Sequence, residues 1–218
     1  ENRGEYVAVC ISTLAPLLFA IGKFFDANVP FNSMAYMFGC FIIHIFVSIK
    51  DHEESILLIS KTDELTGIAN RRSYDEELKK YETKVPDNMI VISADLNELK
   101  YANDNFGHSA GDELIIGAKD ILCKVFASSG KIFRTGGDEF MGLIILDTPI
   151  ENLLSAFDYE IKSWKGKENK KISLSIGYAA KKTYPEMNIN QLCKLADEQM
   201  YANKTDYYLK NKIERRGQ

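Results

Sequence analysis

Arg134-Thr135-Gly136-Gly137-Asp138-Glu139-Phe140 sets two adjacent carboxylates on a glycine turn between two apolar, strand-like runs, residues 131–134 and 140–146. A Gly-Gly pair at such a junction predicts a tight hairpin turn, because glycine reaches φ > 0 without a steric penalty. Two acids are costly to bury, so a turn that carries them to a rim points to a purpose. The purpose that fits is holding a hard divalent cation through oxygen ligands. An ordinary solvated turn is the alternative, and the residues that accompany this one decide between them.

Asp95 ends a second apolar run, Ile90-Val91-Ile92-Ser93-Ala94. If that run is a strand beside the hairpin, Asp95 meets Asp138 and Glu139 at one edge of a sheet. Three carboxylates together repel one another unless cations neutralise them. A pair of Mg2+ ions would do so while bridging phosphate oxygens and stabilising attacking and leaving oxygens. Backbone amides of a turn at a helix start, such as the segment after Asp95, cradle phosphate oxygens well.

The elements that must position these groups alternate along the chain. The pattern predicts a helix over 71–83 with Asn70 as its cap, a strand over 89–95 and a helical stretch over 99–106. A longer helix follows over 110–127, then the hairpin, a helix over 150–164, a strand over 172–180 and a last helix over 189–204. Such alternation reads as an α/β sandwich with helices covering a central sheet.

Two further blocks join the two above. One is Asp63-Glu64-Leu65-Thr66-Gly67-Ile68-Ala69-Asn70-Arg71-Arg72, and the other is Ala196-Asp197-Glu198-Gln199-Met200-Tyr201-Ala202-Asn203-Lys204. The stretch from Asp95 continues through Asn97, Lys100, Asn103, Gly107-His108 and Gly111-Asp112. In this order and spacing the blocks resemble the GGDEF family of diguanylate cyclases, over roughly residues 60–208. The resemblance implies a ferredoxin-like nucleotidyl-cyclase palm, a central, mostly antiparallel sheet flanked by helices. It implies metal ligation by Asp95, the Leu96 carbonyl, Asp138 and Glu139, with two Mg2+ per active site or Mn2+ in their place. Asp138 would also accept the proton of the attacking 3′-hydroxyl.

Lys100 would neutralise charge on the transferring phosphoryl group, and Lys204 matches the family's second phosphate lysine. Guanine presents both donors and acceptors; Asn103 can answer both, and the Asp112 carboxylate suits two adjacent N–H groups. His108 falls at the lip of the site, in a binding or a structural role. The Asp63 block is expected to fix the approach to the first helix and part of a dimer contact. Asn97 stands where many members carry a second aspartate. Tyr207 and Tyr208 occupy places where the family continues with glycine and a phosphate-binding arginine, which weakens the expected GTP contact. The family's product-inhibition motif would fall on residues 127–130, Ala-Ser-Ser-Gly, and is absent, so no product feedback is expected through it.

The chain has 218 residues, 45% of them hydrophobic, with a formal net charge of -4. Mild acidity gives no hint of nucleic-acid binding, which favours a basic face. Cys10, Cys40, Cys123 and Cys193 show no metal-ligand spacing; Cys123 and Cys193 fit buried free thiols. Residues 6–22 and 27–49 carry no charge and are long enough to span a bilayer; a buried helical hairpin is the alternative. His44 would then be an intramembrane functional group or, more simply, a partner in an interhelical hydrogen bond. Lys50, Lys61, Arg71 and Arg72 come after the second run, which orients the C-terminal part toward the cytoplasm.

These readings divide the chain into three parts. Residues 1–49 form a membrane segment of two transmembrane helices ending a longer sensor region, as the missing initial methionine suggests. Residues 50–62 form a linker helix, either a short dimer seam or a helix packed on its own domain. Residues 63–218 form the cyclase domain. The expected activity is condensation of two GTP into cyclic di-GMP by a homodimer joined through the cyclase domain and linker helix. The expected location is the inner or plasma membrane. The alternative is a GTP-binding module without turnover that regulates a partner.

Overall fold

The computed structural model describes residues 38–48 and 61–211. The chain divides into two units, Glu1–Leu58 and Ile59–Gln218. The second unit begins with β1 (Ala69–Asn70) and α1 (Arg71–Lys79), then β2 (Met89–Leu96), α2 (Leu99–Phe106) and α3 (His108–Phe126). It continues through β3 (Gly130–Arg134), β4 (Glu139–Ile145), α4 (Glu151–Ser163), β5 (Leu174–Ala180) and α5 (Ile189–Asn211). The five strands form one mixed sheet in the order β1-β3-β4-β2-β5. The β1–β3 pair is parallel and the other neighbours are antiparallel.

Alternate side chains of a strand face opposite sides of a sheet, and in β2 both sides are covered. All eight of its residues are buried. Ile90, Ile92, Ala94 and Leu96 join a core with Leu114, Ile115, Ala118, Leu122 and Phe126 of α3 and Phe157 of α4. Met89 and Val91 face the other core, with Tyr74 of α1, Phe133 of β3 and Leu192 and Ala196 of α5. Hence the run reads as continuously apolar instead of alternating.

The elements predicted over 71–204 are all present, with boundary shifts. The Asn70 side chain caps α1 by accepting from the Ser73 N–H at 3.2 Å. The last helix runs on to Asn211, seven positions past its predicted end. The two-residue β1 is too short to leave a periodic signal.

Beneath α5 the sheet comes unusually close. A Cβ at Gly177 of β5 would lie 2.2 Å from the Ala196 carbonyl oxygen and 2.3 Å from the Met200 nitrogen. Both are backbone atoms and cannot swing aside. Gly177→Ala should therefore destabilise the domain by about 3 kcal/mol, read from the urea midpoint.

In the first unit, residues 38–48 are helical. Phe38, Ile42, Ile43 and Phe46 are exposed there. Among the described residues His44 Nε2 is buried with no hydrogen-bond partner; residues 6–22, expected to supply one, lie outside them. Among the described residues no helix is long and apolar enough to cross a membrane. The two predicted spans are thus not supported: 6–22 lies outside the described residues, and 27–49 is described only over its helical 38–48 part. The predicted linker helix, 50–62, lies almost wholly outside them as well. Cys40, Cys123 and Cys193 are free thiols.

Candidate active site

Antiparallel register fixes the first acid. Asp95 of β2 stands opposite Glu139 of β4 on one side and Ser175 of β5 on the other. Directly opposed residues share a face of the sheet, so the register alone makes the Asp95 and Glu139 carboxylates neighbours. Asp95 is 5% exposed, whereas Asp138 is half-buried and Glu139 is exposed. The Leu96 N–H donates to the Asp138 carbonyl at 2.9 Å, tying the hairpin loop to the end of β2.

The loop itself is closed by the Thr135 N–H donating to the Glu139 carbonyl at 3.0 Å. Neither Gly136 nor Gly137 has a positive φ, contrary to the sequence expectation. At Gly136 a Cβ would lie 2.7 Å from Glu139 Oε2, the movable end of an exposed side chain. Arg134 supports the loop from below. It donates to the Gly137 carbonyl and to Asp63 Oδ1, both at 2.8 Å.

Asp63 in turn accepts from the Thr66 N–H at 2.9 Å and from the Thr66 hydroxyl. Lys61 meanwhile offers its carbonyl to the Asn70 N–H and the Ser73 hydroxyl. The Asp63 block therefore does fix the approach to α1. It also reaches the hairpin through Arg134, a contact that residue spacing did not show. Burial pushes the Asp63 carboxyl up, but the hydrogen bonds from Thr66 and Arg134 outweigh it and leave it below 3.8. A depressed folded-state value adds stability above the unfolded value and loses it as pH falls through the folded one. Asp63→Asn should cost about 2 kcal/mol at pH 7. Urea titrations should show that difference narrowing as pH drops below 3.8.

Asp95 is pushed the other way. Burial, helped by the charges of Asp138 and Glu139 and opposed by Lys204, raises its carboxyl to about 6. Lys204 of α5 is buried too, and its Nζ lies 2.6 Å from Asp95 Oδ1. That contact is an ion pair by distance, yet the oxygen has no aligned hydrogen-bond donor. A buried carboxylate beside an acid on the next strand suits a hard divalent cation. Asp95, Glu139, Asp138 and the Leu96 carbonyl would hold it, and Mg2+ would supply Lewis-acid stabilisation of phosphate charge. Among the described residues no three His, Cys, Asp or Glu side chains already converge as a metal site.

The segment after Asp95 leads into α2. Asn97 is buried and structural: it bonds the Ser173 carbonyl and hydroxyl, each at 2.9 Å, and accepts from the Ser175 hydroxyl at 3.0 Å. Glu98 is left-handed, and Lys100 in the first turn of α2 is exposed. A Cβ at Gly111 of α3 would fall 1.9 Å from Asn103 Oδ1, so the Asn103 side chain lies directly over Gly111. That brings Asn103 beside the turn that carries exposed Asp112. His108 is exposed at the start of α3, after Gly107 with φ 85.

Three contacts were thus missed in the sequence: Lys204 on Asp95, Arg134 on Asp63, and Tyr207 with Tyr208 on Glu98. The i, i+3, i+4 spacing of 204, 207 and 208 signals a shared helix face, though not what that face meets.

The family described as "Diguanylate cyclase, GGDEF domain" matches residues 60–207. The chain is 35% identical over 143 residues to "Probable diguanylate cyclase DgcI" of Escherichia coli K12, covering 65% of this chain and 30% of that protein. It is 26% identical over 174 residues to the uncharacterized membrane protein SERP0413 of Staphylococcus epidermidis, covering 76% and 48%. Its fold matches the coiled coil and GGDEF domain of DgcB from Caulobacter crescentus, a structure in complex with c-di-GMP. That match has a TM-score of 0.68 at 24% identity and covers 80% of this chain and 95% of that one. The chain spans less than half the length of these two curated relatives.

Proposed function

This chain belongs to the GGDEF diguanylate cyclase family, and we propose that it condenses two GTP into cyclic di-GMP, releasing two pyrophosphates. The observation that carries the proposal is the pairing of buried Asp95 with Glu139 across β2 and β4, one hairpin loop from Asp138. Each domain binds one GTP, so a homodimer facing about a two-fold axis completes the reaction. Asn103 and Asp112 hold guanine. Asp95, Glu139, Asp138 and the Leu96 carbonyl hold two Mg2+, which polarise the phosphates when bound. Asp138 takes the proton of the 3′-hydroxyl, while Lys100 and Lys204 offset phosphate charge. The cyclase domain lies in the cytoplasm. A relative described as a membrane protein supports placing the preceding residues at a membrane.

A second reading, a GTP-binding module without turnover, is favoured by the tyrosines at 207 and 208 in place of glycine and arginine. The test is the full chain with GTP and Mg2+, products separated by mass, beside an Asp138→Ala, Glu139→Ala control. Cyclic di-GMP from the parent alone supports the cyclase. GTP binding without product supports the module.

A further inference from the structure

The last turns of α5 reach the segment between β2 and α2 at Glu98. Among the described residues Glu98 is the one non-glycine with positive φ, at φ 63 and ψ 15. That conformation costs about 1–2 kcal/mol and persists where the surroundings impose it. Two hydroxyls meet Glu98 here. Tyr208 Oη accepts from the Glu98 N–H at 3.3 Å, and Tyr207 Oη donates to Glu98 Oε1. The two rings brace each other edge to face, centroids 5.6 Å apart at 87°. Burial, then the bond to Glu98, pushes the Tyr207 hydroxyl up to about 12, so it stays a donor.

We propose that Tyr207 and Tyr208 are positioning residues for the nucleotide: by clamping Glu98 left-handed they set residues 96–100 for the triphosphate of GTP. Those residues carry the Leu96 carbonyl and Lys100, so the inference rests on the GTP reading above. The tyrosines replace a guanidinium that would touch phosphate with a clamp that acts through the backbone. Tyr207 also holds the Glu98 carboxylate, an anion that would oppose phosphate if it swung free.

The test uses the full chain, with calorimetry on a non-hydrolysable GTP analogue and Mg2+ alongside steady-state kinetics. Tyr207→Phe with Tyr208→Phe keeps both rings and removes both hydroxyls. Analogue affinity should fall about tenfold, with KM rising in parallel. Adding Glu98→Gly should restore affinity to within about threefold of the parent, because glycine takes φ > 0 without a clamp.

Unchanged affinity in the double variant would overturn the proposal. So would a loss that Glu98→Gly fails to restore, which would make the hydroxyls direct ligands or mere packing. A parent that binds the analogue and shows the tyrosine effect, yet forms no cyclic di-GMP, sinks the cyclase reading and supports the clamp. A parent that binds no guanine nucleotide overturns both.

Discussion

Exchanging Asp95 for asparagine should lower cyclic di-GMP formation about a thousandfold. Asparagine keeps the shape and loses the charge, so the loss measures the carboxylate. β2 leaves the side chain no freedom to compensate, because it is bonded on both edges and Asp95 is 5% exposed. One complication is energetic. The substitution strands the buried Lys204 ammonium, and breaking such a pair costs about 3–5 kcal/mol. Adding Lys204→Met removes both charges and should restore the urea midpoint while activity stays absent. Glu139→Gln is the cleaner companion, since Glu139 is exposed and its loss leaves no buried charge behind. Product formation by Glu139→Gln at the parental rate would refute the metal assignment.

Gly111→Ala should weaken GTP binding about tenfold or more with little change in stability. The added methyl would sit 1.9 Å from Asn103 Oδ1 and 2.8 Å from its Cγ, so the Asn103 side chain must leave its place. That side chain is a movable amide at the edge of α2, unlike the fixed backbone that Gly177 faces. The fold therefore gives way cheaply, and guanine recognition bears the loss. A bidentate polar contact to a base is worth about 1–3 kcal/mol. Binding of GTP against ATP, followed by fluorescence of labelled analogues, separates this from a general defect: discrimination should shrink, not merely affinity. A normal preference for GTP in Gly111→Ala would remove Asn103 from the base site.

The helices and the central strands were readable because their apolar periods are long and their breaks are marked by glycine or capping residues. Asp95 was readable as a candidate for the same reason: an acid ending an almost wholly apolar run has few structural excuses. The Gly136-Gly137 turn was located correctly and explained wrongly. Sequence shows that glycine is present but not which φ it takes. Lys204 was matched to phosphate, and the structure sets it on Asp95; a lysine's long stem hides its partner until the neighbouring strand is known. β1 and the Arg134–Asp63 bond were invisible because each joins segments about 70 positions apart with no local pattern. The guanine role proposed for Asn103 and Asp112 came from the family resemblance, and only the packing of Asn103 over Gly111 shows why a glycine precedes Asp112.

The sheet order divides the site by timescale. β2 is flanked by β4 and β5 along its length, so its amides exchange with solvent only when the whole domain opens. Asp138 rides a loop of residues 135–138, outside the strands and held by Arg134 and the Leu96 N–H. Amide exchange should therefore be slower at Asp95 than at Asp138.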